Sequence, residues 1–196
     1  VAAVDRIKRY IDNHRHPAVD SIRRGLDCVL IEYSPDPTFE EWVQSLKDLE
    51  MGLGGPLSER ATEIVPICYE FGYDLPAISD QTGFSVEEII VMHSTQEYNI
   101  WMIGFMPGFP YMGELPQQLQ IRRKTNPDLS IPAGSVAIAE EYVGIYPFES
   151  PGGWHVIGRT PLKIFDYSKE IPFTFDYGMK IRFEPITAVE FERRIR

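Results

Sequence analysis

Three neighbouring runs decide how this chain folds: GFMPGFPYMGELP (residues 104–116), IRRKTNPDLSIPAGSVAIA (residues 121–139) and GIYPFESPGGWHVIGRT (residues 144–160). Between positions 104 and 159 lie eight of the fifteen glycines, set among prolines and aromatics. Ordinary core packing does not need that composition. Glycine permits positive φ and close backbone approach, and proline fixes φ near −65°. Such a stretch encodes loops of defined shape, and shaped loops on a rigid scaffold are where sites usually lie.

The scaffold around those loops reads as short strands: residues 99–105, 135–139, 144–147, 155–158, 162–165 and 179–185. Short strands punctuated by turns suggest a barrel or a sandwich. Upstream, residues 64–69 form a strand and 74–82 a short helix ending at Gly83. Ser85-Val86-Glu87-Glu88 is a capping box opening a helix that reaches His93 or beyond. The first sixty residues are different in kind. Residues 4–13 have a helical apolar face (Val4, Ile7, Ile11), and 19–22 and 27–33 pattern as two strands. Thr38-Phe39-Glu40-Glu41 caps a second helix to about Leu49, and Gly/Pro-rich residues 51–57 form a linker. The order α-β-β-α, with a strand on either side, is a ferredoxin-like sandwich. The chain opens at Val1 almost directly into a helix, so one strand is expected before it. The expected fold is therefore α+β, with an N-terminal α/β domain at 1–60 and a β-barrel domain at 61–196.

A chain of 196 residues with 43 % hydrophobic content can bury a real core. The net charge of −10 argues against a general nucleic-acid or anionic-membrane binder, which would want a basic face. No apolar run reaches the ~18 residues of a membrane span, and no signal peptide is evident. Cys28 and Cys68 have no metal-ligand spacing. Both sit in apolar strand-like runs, so two buried free thiols in a reducing, cytoplasmic setting are expected. Charge is uneven. Residues 61–121 contain eight acids and no Lys or Arg, and Arg122-Arg123-Lys124 follows directly. That acidic stretch is either a solvated face or a docking surface beside an anion site.

Among residues that could carry chemistry, His93 lies on an apolar helix face, with Glu97 one turn on if the helix persists. The pair lacks a third ligand, and there is no HExxH, so no metal site is expected. Arg122, Arg123 and Lys124 offer cations beside a Pro/Gly-rich loop, where a guanidinium fork suits carboxylate or phosphate. Arg159 stands alone among apolar residues and needs a specific partner, internal or ligand. IPAGSV (residues 131–136) and SPGGW (residues 150–154) place backbone N–H groups in glycine turns able to hold an anion. There is no P-loop and no GxSxG, which argues against a conventional nucleotide triphosphatase or a serine hydrolase built on Ser135 or Ser150. Phe105, Phe109, Tyr111, Tyr146, Phe148 and Trp154 could wall a pocket or simply fill a core.

The long runs quoted above, together with VPICY and HSTQEY (residues 93–98), resemble the family of KipI and the 5-oxoprolinase B-subunit, also described as allophanate hydrolase subunit 1. The resemblance spans about residues 63–166. It implies a small N-terminal α/β domain and a C-terminal cyclophilin-like β-barrel. It implies a second protein of the type of KipA and the 5-oxoprolinase C-subunit, and a third, LamB/YcsF-like one. Together these would couple ATP hydrolysis to opening the 5-oxoproline lactam, the chain alone being inactive. It also implies alternatives: a KipI-like inhibitor of a sensor histidine kinase, or an allophanate hydrolase/urea carboxylase-type carboxyltransferase subunit needing a biotinylated partner. By motif, His93, Glu97 and Arg123 match the family's catalytic positions. Pro132, Gly134, Ser135, Tyr146, Gly152, Gly153 and Arg159 match its substrate- or anion-binding loops. The chain departs from the family pattern at Asp128, where an Arg is usual, and at Glu140-Glu141-Tyr142-Val143. These departures add negative charge where an anionic ligand would sit.

Overall fold

A computed structural model describes residues 2–25, 28–48 and 61–195 of the chain. It divides into two compact units, Val1–Glu59 and Arg60–Arg196. The linker expected at 51–57 lies outside the described residues.

The first unit runs α1 (Ala2–Asn13), β1 (Val19–Arg24), β2 (Val29–Tyr33) and α2 (Phe39–Asp48). The two strands pair antiparallel in a two-stranded sheet. Val4, Ile11, Val19 and Phe39 are its buried apolar residues, and Phe39 stacks on Tyr33 at 3.6 Å. A ferredoxin-like sandwich needs four strands, and the described residues of this unit supply two. Cys28 departs from expectation: it is exposed, because it sits in the turn before β2 rather than on a covered strand face.

The second unit holds β3 (Thr62–Ile67), α3 (Leu75–Thr82), α4 (Val86–Thr95), β4 (Glu97–Ile103), β5 (Pro110–Gly113), β6 (Asp128–Ile131), β7 (Ser135–Ala139), β8 (Tyr142–Ile145), β9 (Ser150–Gly152), β10 (His155–Arg159), β11 (Lys180–Pro185) and α5 (Ala188–Arg194). Seven strands form one sheet in the order β10-β7-β8-β5-β4-β11-β3. All neighbours are antiparallel except β11 and β3. The two edges of this sheet meet: Cys68 N donates to Arg159 O at 2.8 Å and Arg159 N to Cys68 O at 3.0 Å. The sheet is therefore a nearly closed barrel, which leaves few unpaired edge groups. Gly158 lies at this seam, and a Cβ there would come within 2.9 Å of Cys68 O and 2.8 Å of Ile67.

Strand alternation divides the buried residues between the two faces. Val136, Ile138, Val143 and Ile145 join the larger cluster with Val65, Ile67, Ile100, Ile157 and Phe183. Ala137 and Ala139 face the other way and join Phe109, Tyr146 and Trp154. Gly144 shares that second face, where a Cβ would collide with the Phe109 ring. The wall carrying β7 and β8 is thus lined with small residues on one side, and aromatic rings cover it.

Candidate functional site

The aromatic layer does not close completely. Phe105, Phe109, Tyr111, Tyr146 and Trp154 leave a cleft of about 250 Å³, completed by Arg123, Pro127, Pro151, Gly152 and Gly153. The rings hold one another edge-on: Phe109 meets Tyr146 at 5.2 Å and Trp154 at 5.6 Å, both at 84°. Such T-shaped contacts fix ring orientation as well as burying area. Gly152 is required here because a Cβ would run into the Tyr146 hydroxyl. Phe105 stands at the rim, 65 % exposed with φ +67°. Met106 N donates to Gly104 O at 2.8 Å across it, a tight three-residue turn that forces this left-handed backbone.

Among the described residues, one charged side chain, Arg123, lines the cleft. The Arg123 guanidinium lies 5.8 Å from the Trp154 ring centroid, and its Nε is 3.9 Å from Glu140 Oε1. Both side chains of that pair are about half exposed. Among the described residues, the Arg123 guanidinium makes no hydrogen bond, so its planar fork of donors is unspent. Burial raises the Tyr111 hydroxyl above its usual range, partly offset by the Arg123 charge. Tyr146 is pushed up to about 12, chiefly by burial. Both phenols are therefore neutral hydrogen-bonding groups at neutral pH. The cleft can offer a guanidinium fork, two phenols and flat apolar walls. That set recognises a small ligand with one carboxylate and an otherwise apolar or planar body.

A partly buried ion triad holds the segment bearing Arg123. Lys124 Nζ lies 2.6 Å from Asp74 Oδ2 and 2.7 Å from Asp128 Oδ2, with its side chain 13 % exposed. Tyr73 donates to Asp128 at 2.9 Å, and Asp74 Oδ2 accepts Val156 N at 2.6 Å. Lys124 N donates to Gly153 O at 2.7 Å, and His155 Nε2 donates to Arg122 O at 2.9 Å. These contacts tie residues 122–124 to the loop at 153–156, the two segments that bring Arg123 and Trp154 together. Burial pushes the Asp128 carboxyl up, but hydrogen bonds from Lys124 and Tyr73 and the ammonium charge outweigh it, leaving it below its usual value.

The expected site residues divide between the cleft and other places. Arg123, Tyr146, Gly152 and Gly153 come together in the cleft, with five of the six expected aromatics; Phe148 instead packs on Phe165 and Tyr167. Pro132, Gly134 and Ser135 form a turn whose backbone polar groups are used internally. Gly134 N donates to Tyr146 O, Ser135 N to Pro132 O and Thr160 N to Gly134 O. Arg159 donates from Nε to Ala133 O at 2.8 Å and lies over the Phe191 ring at 5.6 Å, so its partners are a carbonyl and a ring. His93 is fully buried in the larger apolar cluster's surroundings, 4.6 Å from the Phe183 ring, with Nδ1 hydrogen-bonded to Tyr69 Oη at 2.7 Å. Its burial holds its pKa down at about 3, so the ring is neutral. Glu97 is exposed and accepts from Thr62 at 2.9 Å. It does not share a helix face with His93, because α4 ends at Thr95 and Gln96 is already extended. Neither residue lines the cleft.

Pro127 and Asp74 have no counterpart among the expected site residues; Lys124 is expected only as one of three cations beside the loop, and Asp128 only as a departure from the family pattern. The i, i+4 spacing of Lys124 and Asp128 is a local signal for part of the triad. Asp74 is 50 positions away from Lys124 in sequence. Of the eight acids between 61 and 121, Asp74 is drawn inward, while Glu70, Glu88, Glu97 and Glu114 each accept a hydrogen bond within the protein. Among the described residues, no group of three or more His, Cys, Asp or Glu is arranged to hold a metal ion, and no helix is long and apolar enough to cross a membrane.

Comparison with known proteins places this geometry in context. Residues 1–175 match the family model described as "Carboxyltransferase domain, subdomain C and D". A 5-oxoprolinase B-subunit from Escherichia coli O157:H7 is 42 % identical over 123 residues, which is 62 % of this chain and 56 % of that protein. A 5-oxoprolinase B-subunit from Bacillus subtilis (strain 168) is 35 % identical over 174 residues, 78 % of this chain and 72 % of that protein. The crystal structure of a conserved uncharacterized protein from Pyrococcus horikoshii superposes with a TM-score of 0.65 at 33 % identity, covering 97 % of this chain and 89 % of that one. The chain thus spans little more than half the length of the E. coli relative.

Proposed function

The chain belongs to the carboxyltransferase subdomain C and D family, among relatives named as the B-subunit of 5-oxoprolinase; from that membership we propose that it is a subunit of an ATP-dependent 5-oxoprolinase that converts 5-oxo-L-proline to L-glutamate. The observation that carries the reading is the half-exposed Arg123 guanidinium, its donors unspent, at the mouth of an aromatic cleft. 5-Oxoproline is a flat five-membered lactam with one carboxylate, and such a ligand matches a guanidinium fork set beside aromatic walls. Arg123 takes the carboxylate, Tyr111 and Tyr146 offer hydroxyls to the ring amide, and Gly152 and Gly153 allow close backbone approach.

An unactivated lactam is a poor electrophile. Transfer of a phosphoryl group from ATP to the lactam oxygen makes the ring carbon attackable by water. The ring C–N bond then breaks, the nitrogen gains a proton, and the acyl phosphate that results is hydrolysed by a second water, releasing phosphate. One guanidinium is too little positive charge for a triphosphate, so the nucleotide belongs to another member of the complex. The second member is of the type of KipA and the 5-oxoprolinase C-subunit, and the third is LamB/YcsF-like. The free cysteines fit a cytoplasmic enzyme. The barrel is of the cyclophilin-like kind.

Reconstitution tests this. 5-Oxoproline-dependent ATP hydrolysis should appear with all three subunits and be absent with this chain alone. Arg123→Ala in the complex should raise KM for 5-oxoproline by roughly 10- to 100-fold, the loss of a charge-assisted hydrogen-bonded pair. Turnover by this chain alone, or an unchanged KM, would refute the assignment.

A further inference from the structure

Arg123 does not face the cleft in isolation. The hairpin turn between β7 and β8 places Glu140 beside it, with Glu140 Oε1 3.9 Å from Arg123 Nε. That distance is too long for a hydrogen bond but close for two unit charges. Glu140 also has φ +55°, a left-handed conformation that glycine or asparagine adopts at lower cost. Its backbone is pinned there by a 2.6 Å hydrogen bond from Glu140 N to Ile121 O, which joins the turn to the segment leading to Arg123. An acidic side chain in a conformation unfavourable to it, aimed at the cleft's cation, calls for a reason beyond turn geometry.

The charges around the cleft supply one. Arg123 and Glu140 cancel. The triad of Lys124 with Asp74 and Asp128 sums to one negative charge, and Lys124 N donates to the O of Gly153 in the cleft wall. These five groups together carry one negative charge although the foremost of them is an arginine. A ligand with one carboxylate can meet the Arg123 fork and leave Glu140 to solvent. A dianion meets the same fork but is repelled by what surrounds it.

Building on the carboxylate-binding reading of the cleft, we propose that Glu140 is its specificity-determining residue, biasing it toward small monocarboxylates over free phosphate and other free dianions. The cleft then takes the lactam acid but does not retain the phosphate that the reaction releases.

Titration calorimetry on the full chain tests this with 5-oxo-L-proline and inorganic phosphate as probes, at low ionic strength and about pH 8, where phosphate is mostly dianionic. Unit charges 4 Å apart interact in water by about 1 kcal/mol, roughly a fivefold change in affinity per ligand charge. Glu140→Gln should therefore tighten phosphate about fivefold more than it tightens 5-oxoproline, and added salt should erase the difference. Glu141→Gln removes the same charge one residue away and should change the ratio clearly less. Glu140→Gly removes both the charge and the backbone cost, so it should change the ratio as Gln does while also raising stability. If 5-oxoproline binds but the ratio is the same in all variants, the inference is overturned and the cleft reading survives. If 5-oxoproline binds to none of them, both fall.

Discussion

Replacing Lys124 with methionine tests whether the cleft's frame depends on one ammonium. The side chain is 13 % exposed, and its Nζ is 2.6 Å from Asp74 and 2.7 Å from Asp128. Lys124→Met keeps the chain length and apolar stem but leaves two carboxylates close together with no cation between them. Removing one partner of a buried ion pair costs about 3–5 kcal/mol, because the remaining charge stays desolvated. About 2 kcal/mol, below that range, is expected here, since the triad is only partly buried and water reaches Asp128, which is 30 % exposed. With a urea slope of about 1–3 kcal/mol/M, that shifts the unfolding midpoint down by roughly 1–2 M at neutral pH. The pH dependence carries the sharper test. In the native chain the Asp128 carboxyl titrates below its usual value. Its stabilising contribution is thus fully present above the unfolded aspartate value of about 3.9 and is lost only as pH falls through the lower folded value. In the variant, burial and the neighbouring carboxylate raise the pKa of the pair. Protonation then relieves the repulsion as pH falls toward 4–5. The stability gap between the two proteins should therefore narrow by at least 1 kcal/mol between about pH 7 and pH 4.5. Urea unfolding followed by tryptophan fluorescence at both pH values measures it. A gap below about 1 kcal/mol at pH 7, or one that does not change with pH, would show that the triad does not hold the frame.

The other predictions concern the turn beneath the cleft and the two thiols. Gly134 has φ +82°, and a Cβ there would sit 2.6 Å from Thr160 O, whereas Gly83 has φ +78° with nothing within 4 Å. Gly83→Ala should cost only the left-handed backbone, about 1–2 kcal/mol. Gly134→Ala should cost clearly more and should weaken cleft binding, since Gly134 N donates to Tyr146 O; equal costs in urea unfolding would refute this. A thiol reagent should modify one cysteine quickly in the native protein, Cys28, and reach fully buried Cys68 only on unfolding, since burial also raises the Cys68 pKa. Two fast thiols would contradict the seam at Cys68 and Arg159.

Where local chemistry decides the structure, the sequence was readable. Ser85 and Glu88 form both hydrogen bonds of the capping box that their spacing suggests, and Gly83 ends α3 in the left-handed region. The alternation in SVAIA marks β7 at its observed bounds. Failures occur where pairing, not propensity, makes the strand. β5 begins with a proline, and β9 is Ser-Pro-Gly, so each looks like a turn until a partner strand is present. Residues 162–165 look like a strand, yet only Phe165 pairs, in a single bridge with Phe173. The capping box at Thr187 and Glu190 that starts α5 was visible in the sequence and absent from the expected elements. The site divides in the same way. Arg123, Tyr146, Gly152 and Gly153 were identifiable from their motifs. Asp74 was not, because its role depends on a contact across the fold.

Those long-range contacts also explain why the glycine-rich run yields a cleft and not merely loops. On β7 and β8 the larger side chains Val136, Ile138, Val143 and Ile145 are spent on one face. The opposite face is left with Ala137, Ala139 and Gly144, too small to cover themselves. Rings must therefore come from elsewhere in the chain, and Phe109, Tyr146 and Trp154 come from three separate segments. Rings from three segments meet edge to edge, and edge-to-edge packing of flat groups leaves a gap where the segments converge. The gap lies where Arg123 is tied to Trp154 through Lys124 and Gly153. The cleft thus follows from a size asymmetry across one wall of the barrel. Enlarging the small face is therefore a way to disturb the cleft without touching Arg123. Ala137 is fully buried against the rings, so Ala137→Val should push them out of place, and titration calorimetry should show weaker 5-oxoproline binding although Arg123 is unchanged.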